Sequence, residues 1–381
     1  MPTRQARLRC LMALLLLPSL FQASRAQRAA TPTATVPTAR ETDYIARDFR
    51  FKSGESLPEL RLHYRTLGTP VRDSRGRVAN GVVLLHATGF SGSEFLQPQF
   101  AGVLFGPRQL LDTNRYFIVL PDGIGHGKSS KPSDGLRAHF PQYDYDDMVA
   151  AQHELLTKGL GIDHVRLVLG TSMGCMHSWV WAETYPDYMD AVMALACLPV
   201  QVAGRNQMWR QMALEGIRRD PDWKNGDYTT QPRAASQLWA DVALIAFSAP
   251  LPLQVAAPTG AAANQYLDEV TKQSAATFDA NNALYAVNAS RNYDPSSQLA
   301  SISAAVMHVN SADDFINPPE LGIAQREITR VKRGHFALIP ASAQTHGHLT
   351  FGWPVFWQQH LRQLLEESSS TRARRTATRP R

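Results

Sequence analysis

Short apolar runs alternate with helical patterns along most of this chain, and this alternation limits the fold more than any other feature. Runs rich in branched aliphatic residues suit strands, and they occur at 59–67, 81–87, 115–121, 164–169, 190–197 and 305–311. Amphipathic helical patterns separate several of them, notably at 144–159 and 173–185. Continuous apolar strands separated by helices indicate an α/β fold with a mostly parallel sheet covered by helices on both faces.

The alternation stops between about 200 and 300 and then resumes. The interrupted region shows helical periodicity and contains APLPLQVAAPTGAAA (249–263), which we predict to be loop because proline and glycine punctuate it. An insertion placed before the last strands suggests a helical cap over the carboxyl ends of the sheet. The predicted organisation is therefore a core at 43–199 and 301–367 with a helical cap at 200–300.

The first 26 residues have the order of a secretory signal peptide. Arginines precede an apolar run from Cys10 to Phe21, and Ser24-Arg25-Ala26 follows with small residues at the positions that a cleavage site requires. The run is too short to cross about 30 Å of hydrocarbon, so we expect cleavage rather than a membrane anchor. The sequence thus predicts a periplasmic or secreted protein with no membrane contact after cleavage, followed by an extended Thr- and Pro-rich linker at 27–42.

The positive charge of the chain lies at its two ends. The formal charge is +6, but residues 1–26 carry four arginines and residues 368–381 carry five, with no acidic residue in either segment. The remainder therefore carries −3. This distribution predicts a disordered basic tail at 368–381 and gives no support to nucleic-acid binding.

The cysteines give no sign of a disulfide framework or a zinc site. Of three, Cys10 lies in the predicted signal peptide. Cys175 falls on a predicted helix and Cys197 ends a predicted strand, so we predict two buried thiols rather than a disulfide.

The stretch LVLGTSMGCM (167–176) carries the chemistry. Ser172 stands between Gly170 and Gly174, directly after a strand and before a helix. This is the order of a nucleophile elbow, in which a strained turn exposes the serine and the glycines avoid collisions with neighbouring elements. The pattern predicts Ser172 as a nucleophile; a structural turn serine is the alternative.

A serine nucleophile needs a histidine base oriented by a carboxylate, and both follow it in the chain. Asp313 and Asp314 come directly after the strand that ends near Asn310, and either can be the acid. His346 and His348 lie further on, and we favour His348 because it follows Gly347 and precedes a predicted final helix. His335 is predicted at the start of a strand; earlier histidines, at 86, 126, 153 and 177, are assigned to packing or loops.

The oxyanion of an acyl intermediate needs two donors already in place. We predict the amides of Met173, directly after the nucleophile, and of Thr88, after the third predicted strand, with Gly89 as the alternative. The loop DGIGHGKSS (122–130) matches no phosphate-binding glycine motif and is interpreted as a tight turn. Five aromatic residues are candidates for an apolar acyl pocket or for ordinary core: Trp179, Trp181, Trp209, Trp239 and Phe247.

Several separated segments resemble the alpha/beta-hydrolase superfamily and, within it, the homoserine O-acetyltransferase-like branch. Besides GTSMG they are RNQMWRQMALEGIRRDPDWKNGDY (205–228), FDANNALYAVNASRNYD (278–294), DFINPP (314–319) and the pair Gly347-His348. The resemblance implies a helical cap, homodimers formed through it, and Asp314 as the acid because of its spacing from the two prolines. It also implies that Arg210 binds a substrate carboxylate; a cap arginine paired with Asp220 or Asp222 is the alternative.

Two departures weigh against an acetyltransferase. The acetyltransferases usually carry an acidic residue after the base histidine, where this chain has Leu349, and the stretch after the fourth strand, PDGIGHGKSS, is more similar to hydrolases. We therefore predict an exported serine hydrolase, without metal or organic cofactor, that cleaves a small-molecule carboxylic ester, or less favourably an amide. A homoserine-type acyltransferase with an acyl-CoA donor and a non-catalytic binding protein are the alternatives.

Overall fold

Eight strands form one sheet in the part of the chain that the computed structural model describes, residues 38–74 and 76–377, with the backbone alone given for 370–377. The strands are β1 (Arg40–Arg50), β2 (Ser56–Leu67), β3 (Gly81–Leu85), β4 (Phe117–Pro121), β5 (Leu167–Thr171), β6 (Ala191–Leu195), β7 (Ala305–Ser311) and β8 (Gly334–Ile339). Their order in the sheet is β1-β2-β4-β3-β5-β6-β7-β8.

The sheet is mostly parallel. β1 and β2 pair antiparallel, as do β2 and β4, and every other neighbouring pair is parallel. The predicted α/β fold is confirmed, and each of the six predicted strands lies in the sheet. The two strands that follow β3 along the chain lie on opposite sides of it, β4 on one side and β5 on the other. Such a topological switch point opens a crevice at the carboxyl ends of the strands.

Ten α-helices are described: α1 (Pro98–Leu104), α2 (Tyr145–Glu154), α3 (Met173–Thr184), α4 (Gly204–Arg219), α5 (Arg233–Phe247), α6 (Pro250–Ala256), α7 (Gly260–Thr277), α8 (Ala280–Asn288), α9 (Ile323–Ile328) and α10 (Gln358–Ala377). Five of them, α4 to α8, fall between β6 and β7, within the region predicted as a helical insertion. Among these described residues no single helix is long and apolar enough to span a bilayer; α5 and α6 meet that test only as a pair, bent by 114°.

Buried side chains fill both faces of the sheet. On one face Trp179 and Trp181 of α3 pack with residues of α2, and both indole rings are inaccessible to solvent. On the other face Phe100 of α1 packs in one apolar cluster with Trp357, the residue before α10, and with Leu361 in the first turns of α10. The core helices therefore hold the parallel strands between two apolar layers and fix the positions of their carboxyl ends.

Two predictions of local structure are wrong, one at the linker and one in the insertion. β1 begins at Arg40, inside the predicted linker, because Arg40 to Arg50 pair with β2. The predicted loop at 249–263 is largely helical: Pro250 stands in the first turn of α6, where its missing N–H costs nothing, and the side chain of Thr259 caps α7. The signal peptide and residues 27–37 of the linker lie outside the described residues.

The predicted disordered tail begins inside a helix, since α10 continues to Ala377. Ser368 is 1% exposed and accepts a hydrogen bond of 2.8 Å from Nη1 of Arg166. The other terminal nitrogen of Arg166 donates to the carbonyl of Leu365 at 2.6 Å. These contacts tie the helix to the core at the point where composition alone suggested a solvated end.

Candidate active site

Ser172 occupies a strained turn between β5 and α3. Its backbone φ is 50° and ψ is −107°, a combination that L-residues rarely adopt. A Cβ at Gly170 would stand 1.9 Å from the carbonyl oxygen of Gly174, and a Cβ at Gly174 would stand 1.9 Å from that of Leu85. The two glycines thus let the helix start against its own strand and against β3, as the elbow pattern requires.

Ser172, His348 and Asp314 form a continuous chain of hydrogen bonds. Oγ of Ser172 lies 2.7 Å from Nε2 of His348, and Nδ1 of His348 lies 2.9 Å from Oδ2 of Asp314. His348 is 2% exposed and Asp314 is 1% exposed. The three side chains come from the carboxyl ends of β5 and β7 and from the segment after β8, which the parallel sheet brings to one edge.

Asp313 and Asp314 have separate partners. The carboxylate of Asp313 accepts hydrogen bonds from Oγ1 of Thr345 at 2.7 Å and from the amide of Gly347 at 3.2 Å, and it also contacts the hydroxyl of Ser311. Asp314 is the carboxylate that contacts His348. Asp313 therefore fixes the backbone that carries the histidine, whereas His346 stacks on Trp353 with 3.7 Å between ring centroids.

The surroundings of Asp314 favour its ionised form. Burial by itself would raise the pKa of this carboxyl group, but the favourable electrostatic interaction and hydrogen bond with His348 and the hydrogen bonds of Asn317 outweigh it, so that the pKa is lowered. The side-chain amide of Asn317 donates to Oδ2 at 3.0 Å, and the backbone amides of Ile316 and Asn317 donate to Oδ1. Asp314 thus remains an acceptor oriented toward the histidine.

The two predicted oxyanion donors lie on the segments that flank the serine. Met173 is the first residue of α3, where amides have no partner within the helix. Thr88 lines the same pocket as Ser172. In the described part of the chain neither amide donates to a protein acceptor. A bond of 3.1 Å from the amide of Gly174 to the carbonyl of His86 holds these segments close together.

A largely apolar pocket opens above Ser172. Two of the five candidate aromatic residues, Trp209 and Phe247, line it; Trp179 and Trp181 are core residues, and Trp239 packs against Phe278. None of the described residues that line the pocket is a carboxylate: they are Ala87, Thr88, Phe90, Ser172, Met176, Ala196, Asn206, Trp209, Arg210, Phe247, Ile316, Asn317, His348, Leu349 and Phe351.

Arg210 lies in this pocket without an ionic partner among the described residues. Its Nε donates to Oδ1 of Asn206 at 3.0 Å and its Nη1 donates to Oγ of Ser290 at 2.9 Å. Neither predicted acidic partner pairs with it: Asp220 instead accepts from the amides of Ala235 and Asp222, each at 2.9 Å. A guanidinium that is 6% exposed and paired only with neutral groups can accept an anion.

Cys175 and Cys197 form a disulfide, so the prediction of two buried thiols is wrong. Their Cα atoms are 5.9 Å apart, and both residues are almost inaccessible to solvent. With His308 they make up the one described group of three metal-type ligands, but the sulfur atoms are bonded to each other and not available to an ion. The bridge links α3, the helix that follows Ser172, to the segment after β6.

Sequence reasoning missed two contacts of the site. The ring of Phe247, at the end of α5, stacks on that of His348 with 5.7 Å between centroids; its aromatic character made it a pocket candidate but not a partner of the base. Glu94 was not singled out. Its carboxylate is buried between the strand ends that carry Thr88 and Ser172, and an acidic residue in a loop of irregular sequence gave no signal for this position.

Comparison with known proteins identifies the family. A family model described as the alpha/beta hydrolase fold matches residues 82–338, which is more than half of the chain. The chain belongs to the alpha/beta hydrolase family. A homoserine O-acetyltransferase of Thermobifida fusca (strain YX) is 33% identical to this alpha/beta hydrolase over 210 residues, covering 51% of the chain and 54% of that enzyme. The chain thus spans about half the length of curated relatives of this kind.

Solved structures show the same fold. The homoserine O-acetyltransferase of Bacillus anthracis superposes with a TM-score of 0.75 at 21% identity, over 86% of this chain and 97% of that one. An acetylester hydrolase of Corynebacterium glutamicum gives 0.73 at 19% identity, over 86% and 96%. Together with the curated homoserine O-acetyltransferase relative, these structures confirm the resemblance to the homoserine O-acetyltransferase-like branch. The structural neighbours of this chain include both an acetyltransferase and an esterase.

Proposed function

We propose that this alpha/beta hydrolase is an exported serine esterase that works through an acyl-enzyme on Ser172. One observation carries the proposal: Ser172, His348 and Asp314 are joined by hydrogen bonds of 2.7 and 2.9 Å at the base of a pocket. This is the geometry in which an imidazole removes a serine proton as the oxygen attacks a carbonyl carbon.

The reaction follows from that geometry. Nε2 of His348 accepts the proton of Ser172 as Oγ bonds to the ester carbon, and the amides of Met173 and Thr88 donate to the oxyanion. His348 then gives the proton to the leaving alcohol. In the second half the same histidine takes a proton from a water molecule as the water oxygen bonds to the acyl carbon, and it then returns that proton to Oγ of Ser172 as the ester bond to the serine breaks and the acid leaves. Asp314 keeps the Nδ1–H of His348 oriented throughout.

Water is the acyl acceptor that the pocket favours. An amino-bearing acceptor such as homoserine would bring an ammonium group, and no described residue lining the pocket offers a carboxylate to receive it. At the position after the histidine, Leu349 contributes an apolar surface to the pocket. An acetylester hydrolase among the structural neighbours agrees with this choice.

Export is the second part of the proposal. Disulfides persist in oxidising compartments and are rare in the cytosol, so the Cys175–Cys197 bridge supports a periplasmic or secreted location. The signal-like sequence of residues 1–26 supports it independently. Acyl-CoA donors are intracellular metabolites, and an exported enzyme would instead meet water.

The direct test is turnover of p-nitrophenyl acetate by the purified protein. Ser172→Ala should abolish turnover while the circular dichroism spectrum stays unchanged, because the nucleophile alone is removed. Labelling by a fluorophosphonate probe should disappear in the same variant. Turnover that survives Ser172→Ala would reject the proposal.

A homoserine-type acyltransferase is the second candidate, favoured by the names of the curated relatives and by the unpaired guanidinium of Arg210. The two functions differ in the acceptor. With acetyl-CoA as donor, an acyltransferase releases free thiol only when homoserine is present, whereas a hydrolase is indifferent to homoserine. Thiol release that depends on homoserine would replace the first proposal by this one.

The position of Arg210 in the pocket indicates which kind of ester the enzyme would bind. We expect esters with a carboxylate group and no ammonium group to have a lower KM than neutral esters of the same size. Arg210→Met should raise the KM of the carboxylate-bearing ester by about tenfold or more, the value of one charge-assisted hydrogen bond, and leave that of the neutral ester nearly unchanged. Equal effects on both esters would show that Arg210 only supports the fold.

A further inference from the structure

Glu94 is a buried carboxyl group without a place in the proposed reaction. It lies in a 3₁₀ turn (Gly92–Leu96) between β3 and α1 and is only 9% exposed. No lysine or arginine forms an ion pair with it in the described part of the chain. Buried acids are uncommon because removing the charge from water is costly, so this one calls for a compensating contact.

The two oxygens of Glu94 hold two separate strand ends. Oε2 accepts a hydrogen bond of 3.1 Å from the amide of Ala87, the residue before Thr88. Oε1 accepts one of 2.6 Å from the hydroxyl of Thr171, the residue before Ser172. Ala87 immediately precedes Thr88, and Thr171 lies two residues before Met173. The amides of Thr88 and Met173 are the proposed oxyanion donors.

The turn that carries Glu94 is itself fixed. The amide of Gly92 donates to Oδ1 of Asp122 at 2.8 Å, and a Cβ at Gly92 would lie 2.5 Å from the carbonyl oxygen of Leu120. Asp122 is held in turn by Nη1 of Arg65 at 2.7 Å. The close packing of the turn on the end of β4 leaves Glu94 little freedom and directs its carboxyl group toward β3 and β5.

The protonation of Glu94 agrees with a role in hydrogen bonding rather than in charge pairing. Burial raises the pKa of its carboxyl group to about 8, although the hydrogen bonds from Thr171 and Ala87 act in the opposite direction. Because burial of this acid is unfavourable, we attribute its presence to its two contacts. These are the hydrogen bonds with the amide of Ala87 and the hydroxyl of Thr171, on the two segments beside Ser172.

We infer that Glu94 is a positioning residue of the oxyanion hole, which sets the spacing between the amide of Thr88 and that of Met173. The inference rests on the proposed function. An oxyanion donor stabilises the transition state only when it lies at the position that the charged oxygen will take, so loosening either segment should slow the chemical step and leave substrate binding nearly unchanged.

The experiment compares Glu94→Leu with Glu94→Gln. Leucine fills the space but accepts no hydrogen bond, and we expect kcat for p-nitrophenyl acetate to fall about 10- to 100-fold with KM within about twofold, somewhat less than the loss of a whole oxyanion donor. A glutamine can accept from Ala87 through its oxygen and donate to Thr171 through its nitrogen. We expect Glu94→Gln to restore kcat to within about fivefold of wild type.

Glu327→Leu is the matched control. Glu327 is also 9% exposed and hydrogen-bonded, but it lies on α9 with Arg326 and Arg330 as partners. Its replacement should leave kcat unchanged. Affinity for trifluoroacetone, which forms a tetrahedral adduct with a serine, should fall in Glu94→Leu in parallel with kcat/KM, while inhibition by acetate should not change.

Thr171→Val tests the same inference if Glu94→Leu does not fold. It removes the hydroxyl that donates to Glu94 at 2.6 Å and that also lies 3.3 Å from the carbonyl oxygen of Leu85, and it should lower kcat in the same way. Where Glu94→Leu does fold, combining the two changes should give no further loss. The inference fails if Glu94→Leu or Thr171→Val keeps wild-type kcat, or if Glu94→Gln is as slow as Glu94→Leu.

The proposed function is judged separately, by the dependence of turnover on Ser172. If water is not the acceptor, the rate at which a fluorophosphonate labels Ser172 replaces kcat in every comparison. That reaction also places a charged oxygen beside the nucleophile, and an unchanged labelling rate in Glu94→Leu would overturn the inference.

Discussion

Asp313 and Asp314 are adjacent in sequence and differ in what they orient. Asp314 accepts from Nδ1 of His348, while Asp313 accepts from the amide of Gly347. Chain order allowed either of them to be the acid, and the spacing to two prolines favoured Asp314. A direct comparison of the two carboxylates therefore separates orientation of the imidazole from orientation of the backbone.

Asp314→Asn should lower kcat about 10³- to 10⁴-fold with little effect on folding, because an amide can present a donor to Nδ1 and so stabilise the wrong tautomer of the base. The matched change Asp313→Asn should lower kcat by less than about tenfold, since Asp313 contacts Ser311, Thr345 and the amide of Gly347 but not the imidazole of His348. Steady-state kinetics on one ester decide between them. Equal losses, or a larger loss in Asp313→Asn, would show that the acid is misassigned.

Some residues of the candidate site can be predicted from short sequence patterns, and others only from the way the fold brings distant segments together. Ser172 and His348, which the structure places in contact, could be predicted from the sequence because a nucleophile elbow and a Gly-His pair after the last strand are short-range patterns. Thr88 and Met173 follow from position relative to strands. The contacts of Phe247 and Glu94 depend on which loops the sheet brings together, and no periodicity or spacing in the sequence reports that.

At the scale of elements, the carboxyl ends of adjacent strands explain the disulfide. β5 and β6 are parallel neighbours, Cys175 lies on the helix that follows β5, and Cys197 lies two residues beyond β6. The order of the strands along the sequence does not tell which strands are neighbours in the sheet. Each cysteine was therefore predicted to be a separate buried thiol. Five of the six predicted strands, β3 to β7, are buried at every position and show as continuous apolar runs, and β2 shows as a run in which apolar and polar residues alternate. β1 is mostly exposed and has no such run.

Removing the bridge should destabilise the protein. Its cysteines are 22 residues apart. Closing a loop of this length lowers the entropy of the unfolded chain, and we expect Cys175→Ala together with Cys197→Ala to lower the free energy of unfolding by about 3 kcal/mol. Guanidinium unfolding monitored by circular dichroism gives the value. Wild-type protein unfolded and refolded with excess dithiothreitol is the control, and it should lose a similar amount; a loss below about 1 kcal/mol in both would contradict the expectation.

At the scale of the whole molecule, the helical insertion both covers the site and leaves apolar side chains in solvent. Trp209, Arg210 and Phe247 reach the pocket from α4 and α5. Six of the twelve large apolar residues that are exposed in the described structure lie on α4 to α7: Met208, Met212, Ile245, Leu251, Val255 and Leu267. This concentration on one part of the chain supports our expectation, first drawn from the family resemblance, of a homodimer formed through the insertion.

The last prediction concerns the expected homodimer. Wild-type protein should have the mass of two chains in size-exclusion chromatography with light scattering. Met212 is 56% exposed and Leu251 is 51% exposed, and Met212→Glu together with Leu251→Glu should shift the protein to one chain, because burying two carboxylates without partners costs more than an interface of this kind gains. Val71→Glu is the control. Val71 is 57% exposed and lies between β2 and β3, at the end of the sheet where the parallel strands begin, and its replacement should leave the mass unchanged. A wild-type monomer, or a dimer that survives both glutamates, would exclude an interface through these helices.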